Sequence, residues 1–284
     1  MQGNEILNNG MVFSSFLRED GGVVRTSTTY LSHKAEYMAE MTVDAGSFRI
    51  LGGQWEVSRP APGMVCGREP FPESMLDREA YLSFKFPEDV GGIMPKRIVR
   101  IVRDCVRGLV QAETYLLPER GFADDKAYDD FFDEVYVGGC RAYSHPHEDE
   151  ETWMQYAGAY RRTRGIFNRY KTFLIERDPA AGLILVSGAL SDSFHEMHVR
   201  FAASAASGEI LSSGATFKRA PMGICFSCGG LADGLVGLSL PLGKGDLAEL
   251  TAGAEGCSHL FDLLCDLADE SGDVWAESQP PPSA

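Results

Sequence analysis

A group of ionisable side chains in the second half of this sequence is suited to proton transfer. Glu196, His198 and Arg200 alternate with apolar residues, a strand pattern that projects them from one face within mutual reach. His195 lies beside them on the more apolar side of the strand, and His259 follows later in the chain. Imidazole and carboxylate groups exchange protons near neutral pH. We therefore take His195, Glu196 and His259 as candidate catalytic residues.

These candidates also have a plain structural interpretation. A strand face carries charged residues wherever it meets water, which would explain Glu196, His198 and Arg200. A core histidine with one satisfied hydrogen bond would explain His195. Both interpretations stay open at the level of sequence.

Cysteine and histidine residues form two candidate metal sites. The first is a complete set of four zinc ligands by residue type: Cys225, Cys228, Cys257 and His259. The second is His145 with His147, beside four acidic residues. The alternatives are buried, inert thiols for the first set and an exposed acidic turn for the second. We assign no metal ligand.

Short motifs of common cofactor-binding and catalytic sites are missing from the chain. It has no Gly-x-Gly-x-x-Gly after a strand, no phosphate-binding Gly-x-x-x-x-Gly-Lys-Ser/Thr loop, no Gly-x-Ser-x-Gly and no His-Glu-x-x-His. We therefore predict no cofactor, and expect any enzyme here to work without a nucleotide.

The candidate residues lie in a segment that is repeated, because residues 188–228 resemble residues 29–66. The matches 159 positions apart are Leu31 with Leu190, Ser32 with Ser191 and Met38 with Met197. The matches 160 positions apart are Ile50 with Ile210, Leu51 with Leu211, Arg59 with Arg219 and Gly63 with Gly223. Such a repeat predicts a fold built from two related units.

Hydrophobic periodicity predicts an antiparallel meander in each copy. The predicted strands are residues 12–18, 23–31, 35–43 and 48–58, then 171–176, 183–190, 194–202 and 209–218, with further strands at 80–86 and 235–240. Helices are predicted at residues 95–116, 124–136, 152–167, 247–250 and 256–267.

The third strand is where the two copies differ. At the 159-residue offset, the predicted buried face of Tyr37, Ala39, Met41 and Val43 aligns with Glu196, His198, Arg200 and Ala202. We therefore expect the second copy to have exchanged apolar packing for ionisable groups around a ligand. The candidate substrate-binding residues are Arg200, Arg219, Tyr37, His198 and Cys257.

Composition limits the class of protein. A net charge of −15 argues against a nucleic-acid or anionic-membrane partner, since both require clustered Lys and Arg. No stretch approaches the roughly 18 apolar residues of a membrane span, and the first residues lack a secretory signal. Seven scattered cysteines fit free thiols in a reducing compartment. We therefore expect a cytoplasmic protein.

These features predict an α+β fold. Two related halves, each an antiparallel β-meander plus helix, would arise by internal duplication and form one pseudo-symmetric unit. The predicted boundaries are 1–140 for the first half with inserted helices, 141–170 for a helical connector, 171–270 for the second half and 271–284 for a flexible tail. A homodimer is also expected, from the long acidic and aromatic helices.

Three motifs resemble an uncharacterised bacterial family, domain of unknown function 2889. They are His195-Glu196-Met197-His198-Val199-Arg200, Arg219-Ala220-Pro221-Met222-Gly223-Ile224-Cys225 and Glu255-Gly256-Cys257-Ser258-His259-Leu260. The resemblance covers about residues 185–268, with Glu196 where the family usually has Asp and with Cys228 outside the pattern. The family has no assigned reaction. Its members occur in bacteria that degrade aromatic compounds, so the resemblance implies a small-molecule role.

We interpret the protein as a cofactor-independent lyase acting on a small aromatic compound. One version is the retro-aldol release of formaldehyde from a lignin-derived aromatic dimer, with His and Glu side chains as base and acid. An Arg such as Arg200 or Arg219 would anchor a substrate carboxylate or phenolate. The alternatives are a non-catalytic binding protein for a hydrophobic or aromatic ligand and a metal-dependent hydrolase.

Overall fold

Nine strands in the part of the chain that the structure describes form one antiparallel sheet, in the order β5-β4-β3-β2-β1-β6-β7-β8-β9. The structure is a computed structural model, and it describes residues 4–145, 151–158 and 161–278. The strands are β1 (Glu5–Glu19), β2 (Val23–Ser32), β3 (Glu36–Asp44), β4 (Ile50–Arg59), β5 (Gly67–Pro70), β6 (Gly165–Asp178), β7 (Leu183–Asp192), β8 (Glu196–Ser204) and β9 (Ile210–Arg219). The mixed strand and helix content agrees with the predicted class.

Eight α-helices accompany these strands in the described ranges. They are α1 (Val90–Ile93), α2 (Lys96–Ala112), α3 (Leu117–Arg120), α4 (Asp125–Tyr136), α5 (Arg141–Ser144), α6 (Trp153–Ala157), α7 (Lys244–Thr251) and α8 (Ser258–Ser278). A long 3-10 helix, Gly223–Leu235, follows β9. None of the described helices is both long enough and apolar enough to span a membrane.

The chain divides into two compact units. Unit A contains residues 11–131 and 153–170, and unit B contains residues 1–10, 132–152 and 171–284.

In unit A, the helix α2 packs on β2 and β3. Side chains alternate along β3, so that Tyr37, Ala39, Met41 and Val43 are fully buried, as predicted. The stripe of α2 that the sequence predicts to face inward is also buried: Ile98, Ile101, Val102, Cys105, Leu109 and Ala112. A period of two on the strand and of 3.6 on the helix therefore builds the core of unit A.

In unit B, the helix α8 packs on β7 and β8. The buried face of β8 consists of Met197, Val199, Phe201 and Ala203. Gly188 of β7 permits the close approach of α8, because a Cβ at this position would lie 2.6 Å from a methyl group of Leu267. The helix thus covers one face of these strands.

The buried faces of β3 and β8 correspond at an offset of 160 residues, not 159. Glu36 and Glu196 begin the two strands, and both strands shift register directly after that residue. The counterpart of Tyr37 is therefore Met197 rather than Glu196. Our expectation that the second copy placed ionisable groups on this face is wrong, because both strands bury apolar side chains there.

Four other predicted elements differ from the structure. Residues 80–86 form no strand, whereas β5 was not predicted. Of the described residues within the range 152–167, those of α6 alone are helical. Residues 235–240 contain the end of the 3-10 helix and a single β-bridge at Ser239. Helix α8 continues through residues 271–278, which the sequence assigned to a tail, because Ser271 and Val274 are buried in the core of unit B.

We predict that Gly108→Ala destabilises the protein. The new Cβ would lie 1.9 Å from a ring carbon of Phe16, and overpacking of this kind costs about 1–3 kcal/mol. The control is Gly245→Ala in α7, where the added Cβ meets nothing within 4 Å. Urea unfolding should show this loss for Gly108→Ala and a change within about 1 kcal/mol for Gly245→Ala. Equal stabilities would show that the Phe16 contact does not restrict this position.

Candidate functional site

Two histidine rings stack against each other in unit B. His195 directly precedes β8, and His259 lies in the first turn of α8. Their ring centroids are 3.8 Å apart and the ring planes differ by 28°. His195 is only 4% exposed, whereas His259 is half-buried. The fold therefore brings together two of the three predicted catalytic residues, and the pair reaches solvent at His259.

The turn between β7 and β8 is closed by the side chain of Asp192. Its Oδ1 accepts hydrogen bonds from the backbone N–H groups of Phe194 and His195, each at 2.8 Å. The backbone N–H of Asp192 donates to the His195 carbonyl at 2.9 Å. This is the local arrangement that makes Asp a turn-forming residue, because its short carboxylate satisfies backbone donors two and three positions ahead. It fixes the backbone of His195.

The same carboxylate oxygen also contacts the ring of His195, since Asp192 Oδ1 lies 3.1 Å from Nδ1. Both side chains are buried, and a carboxylate beside Nδ1 favours the tautomer that carries its proton there. In that tautomer the lone pair of the other ring nitrogen, Nε2, points away from Asp192 and can accept a proton. The Asp192–His195 pair therefore has the arrangement of an oriented general base.

Arg219, the last residue of the neighbouring strand β9, donates hydrogen bonds to this turn. Its guanidinium donates to the carbonyls of Ser193 and Asp192, each at 2.6 Å, and to the carbonyl of His195 at 3.3 Å. We predicted Arg219 as a substrate-binding residue. Its donors instead meet backbone acceptors, so in this structure it positions the turn that carries His195.

Other predicted residues lie away from the histidine pair. Glu196, His198 and Arg200 project from the face of β8 opposite to its buried side chains. On that face, His198 Nε2 is 3.8 Å from Glu196 Oε1. Tyr37 belongs to unit A, where it is fully buried and its hydroxyl donates to the sulfur of Met64 at 3.5 Å.

Cys257 is buried next to Cys228 rather than at the histidine rings. A hydrogen bond from Cys257, aided by the Arg141 guanidinium, lowers the pKa of Cys228 although burial opposes this shift. The same hydrogen bond, together with burial, raises the pKa of Cys257 well above its usual value. Cys228 is thus the more acidic thiol of the pair.

Metal-ligand geometry favours the histidine pair over the predicted sets. Within the described ranges, one group of three ligand atoms lies within 4.8 Å of one another, and it consists of Asp192, His195 and His259. The predicted zinc set of Cys225, Cys228, Cys257 and His259 is not gathered to that distance. His145 Nε2 lies 2.7 Å from Glu255 Oε1, while His147 is outside the described residues.

A row of buried ionisable groups continues from His259 along α8. Asp262, Asp266 and Glu270 follow it at helical spacing, and all three are buried. The Lys171 ammonium group lies 3.5 Å from Asp262 Oδ2 and 2.5 Å from Asp266 Oδ2. Buried charges of this kind require their partners, so they fix the rotation of α8 against β6 and hence the direction of His259.

Sequence reasoning missed both Asp192 and this buried row. The signal for Asp192 is its position three residues before His195 in a polar turn, which is a common hydrogen-bonding pattern for Asp. The signal for the row is the spacing of the α8 carboxylates on the same side as Leu263 and Leu267.

Comparison with known proteins identifies a family for part of the chain. Residues 183–271 match the family model described as a protein of unknown function, DUF2889. The resemblance expected from the sequence motifs is thereby confirmed. The matched segment contains Asp192, His195, Arg219 and His259, and so the complete histidine site of unit B. No curated protein and no solved structure matches the chain.

A substitution series at Asp192 should separate its structural role from its contact with the histidine ring. In unit A, Ser32 occupies the corresponding turn, and its hydroxyl accepts from the N–H groups of Lys34 and Ala35 at 3.1 Å each. Asp192→Ser should therefore keep the turn closed while removing the contact to Nδ1. Asp192→Ala leaves two buried N–H groups without a hydrogen-bond acceptor. It should therefore lower the free energy of unfolding by about 1–3 kcal/mol.

Urea unfolding of the two variants measures this difference. We expect Asp192→Ser to retain the stability of the parent to within about 1 kcal/mol, because a Ser hydroxyl satisfies the same donors. Equal losses for the two variants would contradict the assigned capping role.

Proposed function

We propose that this protein is a proton-transfer enzyme, specifically a carbon–carbon lyase acting on a small aromatic compound without an organic cofactor. The observation that carries the proposal is the contact between two imidazoles, His195 and His259, with a buried carboxylate at Nδ1 of the first. Two adjacent imidazoles can provide one base and one acid at neutral pH.

The proposed reaction is a retro-aldol cleavage that releases formaldehyde from a hydroxymethyl group. A base removes the hydroxyl proton, the oxygen electron pair forms the C=O bond, and the neighbouring carbon–carbon bond breaks. Its electron pair remains on the substrate carbon, which then accepts a proton from the conjugate acid. The step requires no oxidant or reductant. It requires a substrate whose neighbouring carbonyl or equivalent conjugated group delocalises the carbanion electron pair, and the protein then supplies a positioned acid and base.

His259 is the member of the pair that would meet the substrate, because it is half-buried while His195 is enclosed. His195, oriented by Asp192, would provide the second proton-transfer group. Glu196 lies on the opposite face of β8, so the proposal gives its predicted role to the other two residues. Asp192 acts here as a positioning residue.

An aromatic substrate is supported by the resemblance to a family found in bacteria that degrade aromatic compounds. The ring of Phe194 packs edge-on against His195, with centroids 6.4 Å apart and planes at 88°, but it is buried in the core and supports the ring of His195 rather than a ligand. A lignin-derived dimer with a hydroxymethyl group is the concrete substrate we propose.

Internal duplication with pseudo-symmetry is part of this proposal. Its support is that β2, β3 and β4 begin and end 160 positions before β7, β8 and β9, respectively. Two isolated β-bridges, Arg49–Glu79 and Glu209–Ser239, are also 160 positions apart. On this view unit B carries the site, and the turn closed by Ser32 in unit A is its structural counterpart.

The lyase proposal predicts loss of turnover when either histidine is replaced. We expect His195→Gln and His259→Gln to lower kcat by about 100- to 10,000-fold, the usual contribution of general acid–base catalysis. The measurement is formaldehyde release from lignin-derived dimers that carry a hydroxymethyl group, with mass-spectrometric identification of the second product. Asp192→Ser should also lower kcat, because the ring of His195 loses its orienting contact.

The matched control is His198→Gln on the opposite face of β8, which should retain the activity of the parent. Equal activity of the parent and both histidine variants would overturn the proposal. Saturable binding of the dimers without any formaldehyde release would favour a binding protein instead.

A metal-dependent hydrolase is a second candidate, favoured by the three ligand atoms of Asp192, His195 and His259 within 4.8 Å. Two imidazoles and one carboxylate are ligands of catalytic zinc sites. If this function is correct, elemental analysis should find stoichiometric metal in the parent protein purified without chelator. The bound metal should be lost in His259→Gln. Full activity after exhaustive chelation would eliminate this candidate.

A further inference from the structure

The uncovered face of unit B contains a groove that is separate from the histidine pair. It has a volume of about 540 Å³ and is lined by residues of β6, β7, β8 and β9. Arg200, His198 and Lys218 contribute the basic groups of its lining. Since α8 covers the other face of β7 and β8, the groove and the histidine pair lie on opposite sides of β8.

Small side chains on both neighbouring strands leave space beside Arg200. Strand register places Ser187 of β7 and Gly214 of β9 directly across from it. A Cβ added at Gly214 would meet nothing within 4 Å, so the space above Gly214, next to the Arg200 side chain, is open. The Arg200 side chain is therefore accessible to a ligand.

Lys218 joins Arg200 in this groove because of a register shift. The pairing changes between Glu196 and Met197, whose partners on β9 are Arg219 and Phe217, and this leaves Lys218 without an opposing residue. Lys218 is exposed and points to the same side as the groove.

Neither cation is neutralised by the residues that the structure describes. Across those ranges, no hydrogen bond or ion pair involves the Arg200 guanidinium or the Lys218 ammonium group. The nearby carboxylate of Glu196 is instead 3.8 Å from His198. In a chain with 26 basic and 41 acidic residues, two unpaired cations in one concavity create a local preference for an anion.

We propose that this groove binds a small aromatic carboxylate. A planar guanidinium matches a carboxylate with two parallel hydrogen bonds, which makes Arg200 the primary anchor. Lys218 adds a second positive charge, and the hydroxyl groups of Thr172 and Thr216 supply further polar contacts. Leu174 and Ala189 provide the apolar surface on which an aromatic ring would lie.

The size of the groove and the charge of the chain favour this ligand class over larger polyanions. Its volume lies within the roughly 300–1,000 Å³ of small-molecule sites. A nucleic acid would require a broad field of basic residues, whereas the chain has a net charge of −15. The inference goes beyond the proposed lyase activity, because it concerns a different face of β8.

Isothermal titration calorimetry with benzoate as the probe tests the assignment. We expect saturable binding to one site and no measurable binding of benzamide, which has the same shape without the charge. Arg200→Gln should weaken benzoate binding about tenfold or more, because the paired hydrogen bonds are lost. Lys218→Gln should weaken it about threefold to tenfold through the loss of one nearby charge.

Two control variants make the result specific. Lys244→Gln changes the net charge equally, but on exposed α7, and should bind benzoate like the parent. His195→Ala should also bind like the parent, which separates this site from the proposed lyase site. Circular dichroism and thermal unfolding confirm that each variant is folded.

Three results would overturn the proposal. The first is the absence of saturable benzoate binding by the parent. The second is inorganic phosphate binding more tightly than benzoate with the same loss in Arg200→Gln, which would assign a phosphate site. The third is benzoate binding that is lost in His195→Ala, which would place the ligand at the histidine pair.

Discussion

One carboxylate oxygen, Oδ1 of Asp192, is the atom on which the histidine site depends. It accepts hydrogen bonds from two backbone N–H groups of the turn between β7 and β8, and it is also within hydrogen-bonding distance of Nδ1 of His195. The backbone and the ring are thereby fixed by a single group. Arg219 reinforces the arrangement by binding the outward carbonyls of the same turn. Asp192 therefore closes the turn and contacts the ring with the same oxygen. A Ser at this position, like Ser32 in the corresponding turn of unit A, would satisfy the backbone without the contact to the ring.

The second requirement is the placement of α8. Its apolar residues pack on β7 and β8, and its buried carboxylates face Lys171 and Asn8, with Asn8 Nδ2 donating to Glu270 at 2.9 Å. Burial of charge and amide groups in the core is tolerated only with partners in good geometry, which restricts the helix to one rotation. That rotation presents His259 to His195. The same helix covers one face of β7 and β8, and the groove at Arg200 lies on the other face.

Much of the fold was predictable, because the relevant patterns are local. The alternation of Tyr37, Ala39 and Met41 and the stripe on α2 both depend on side-chain period, and the structure confirms them. The assignment of faces between the two copies failed for a physical reason. On a strand, a shift of one residue transfers a side chain to the opposite face, so the difference between offsets of 159 and 160 moved Glu196 and His198 to the wrong side.

The amino-acid sequence specifies the residue types, the strands and helices that carry them, and the family resemblance of the second half. It identified His195 and His259 as candidates, although they are far apart in the chain. Three relations appear only in the folded chain: the two rings stack, Asp192 orients the first of them, and Arg200 faces away from both. These relations depend on how α8 packs across β7 and β8, which is set by long-range burial of apolar and charged groups rather than by any local pattern.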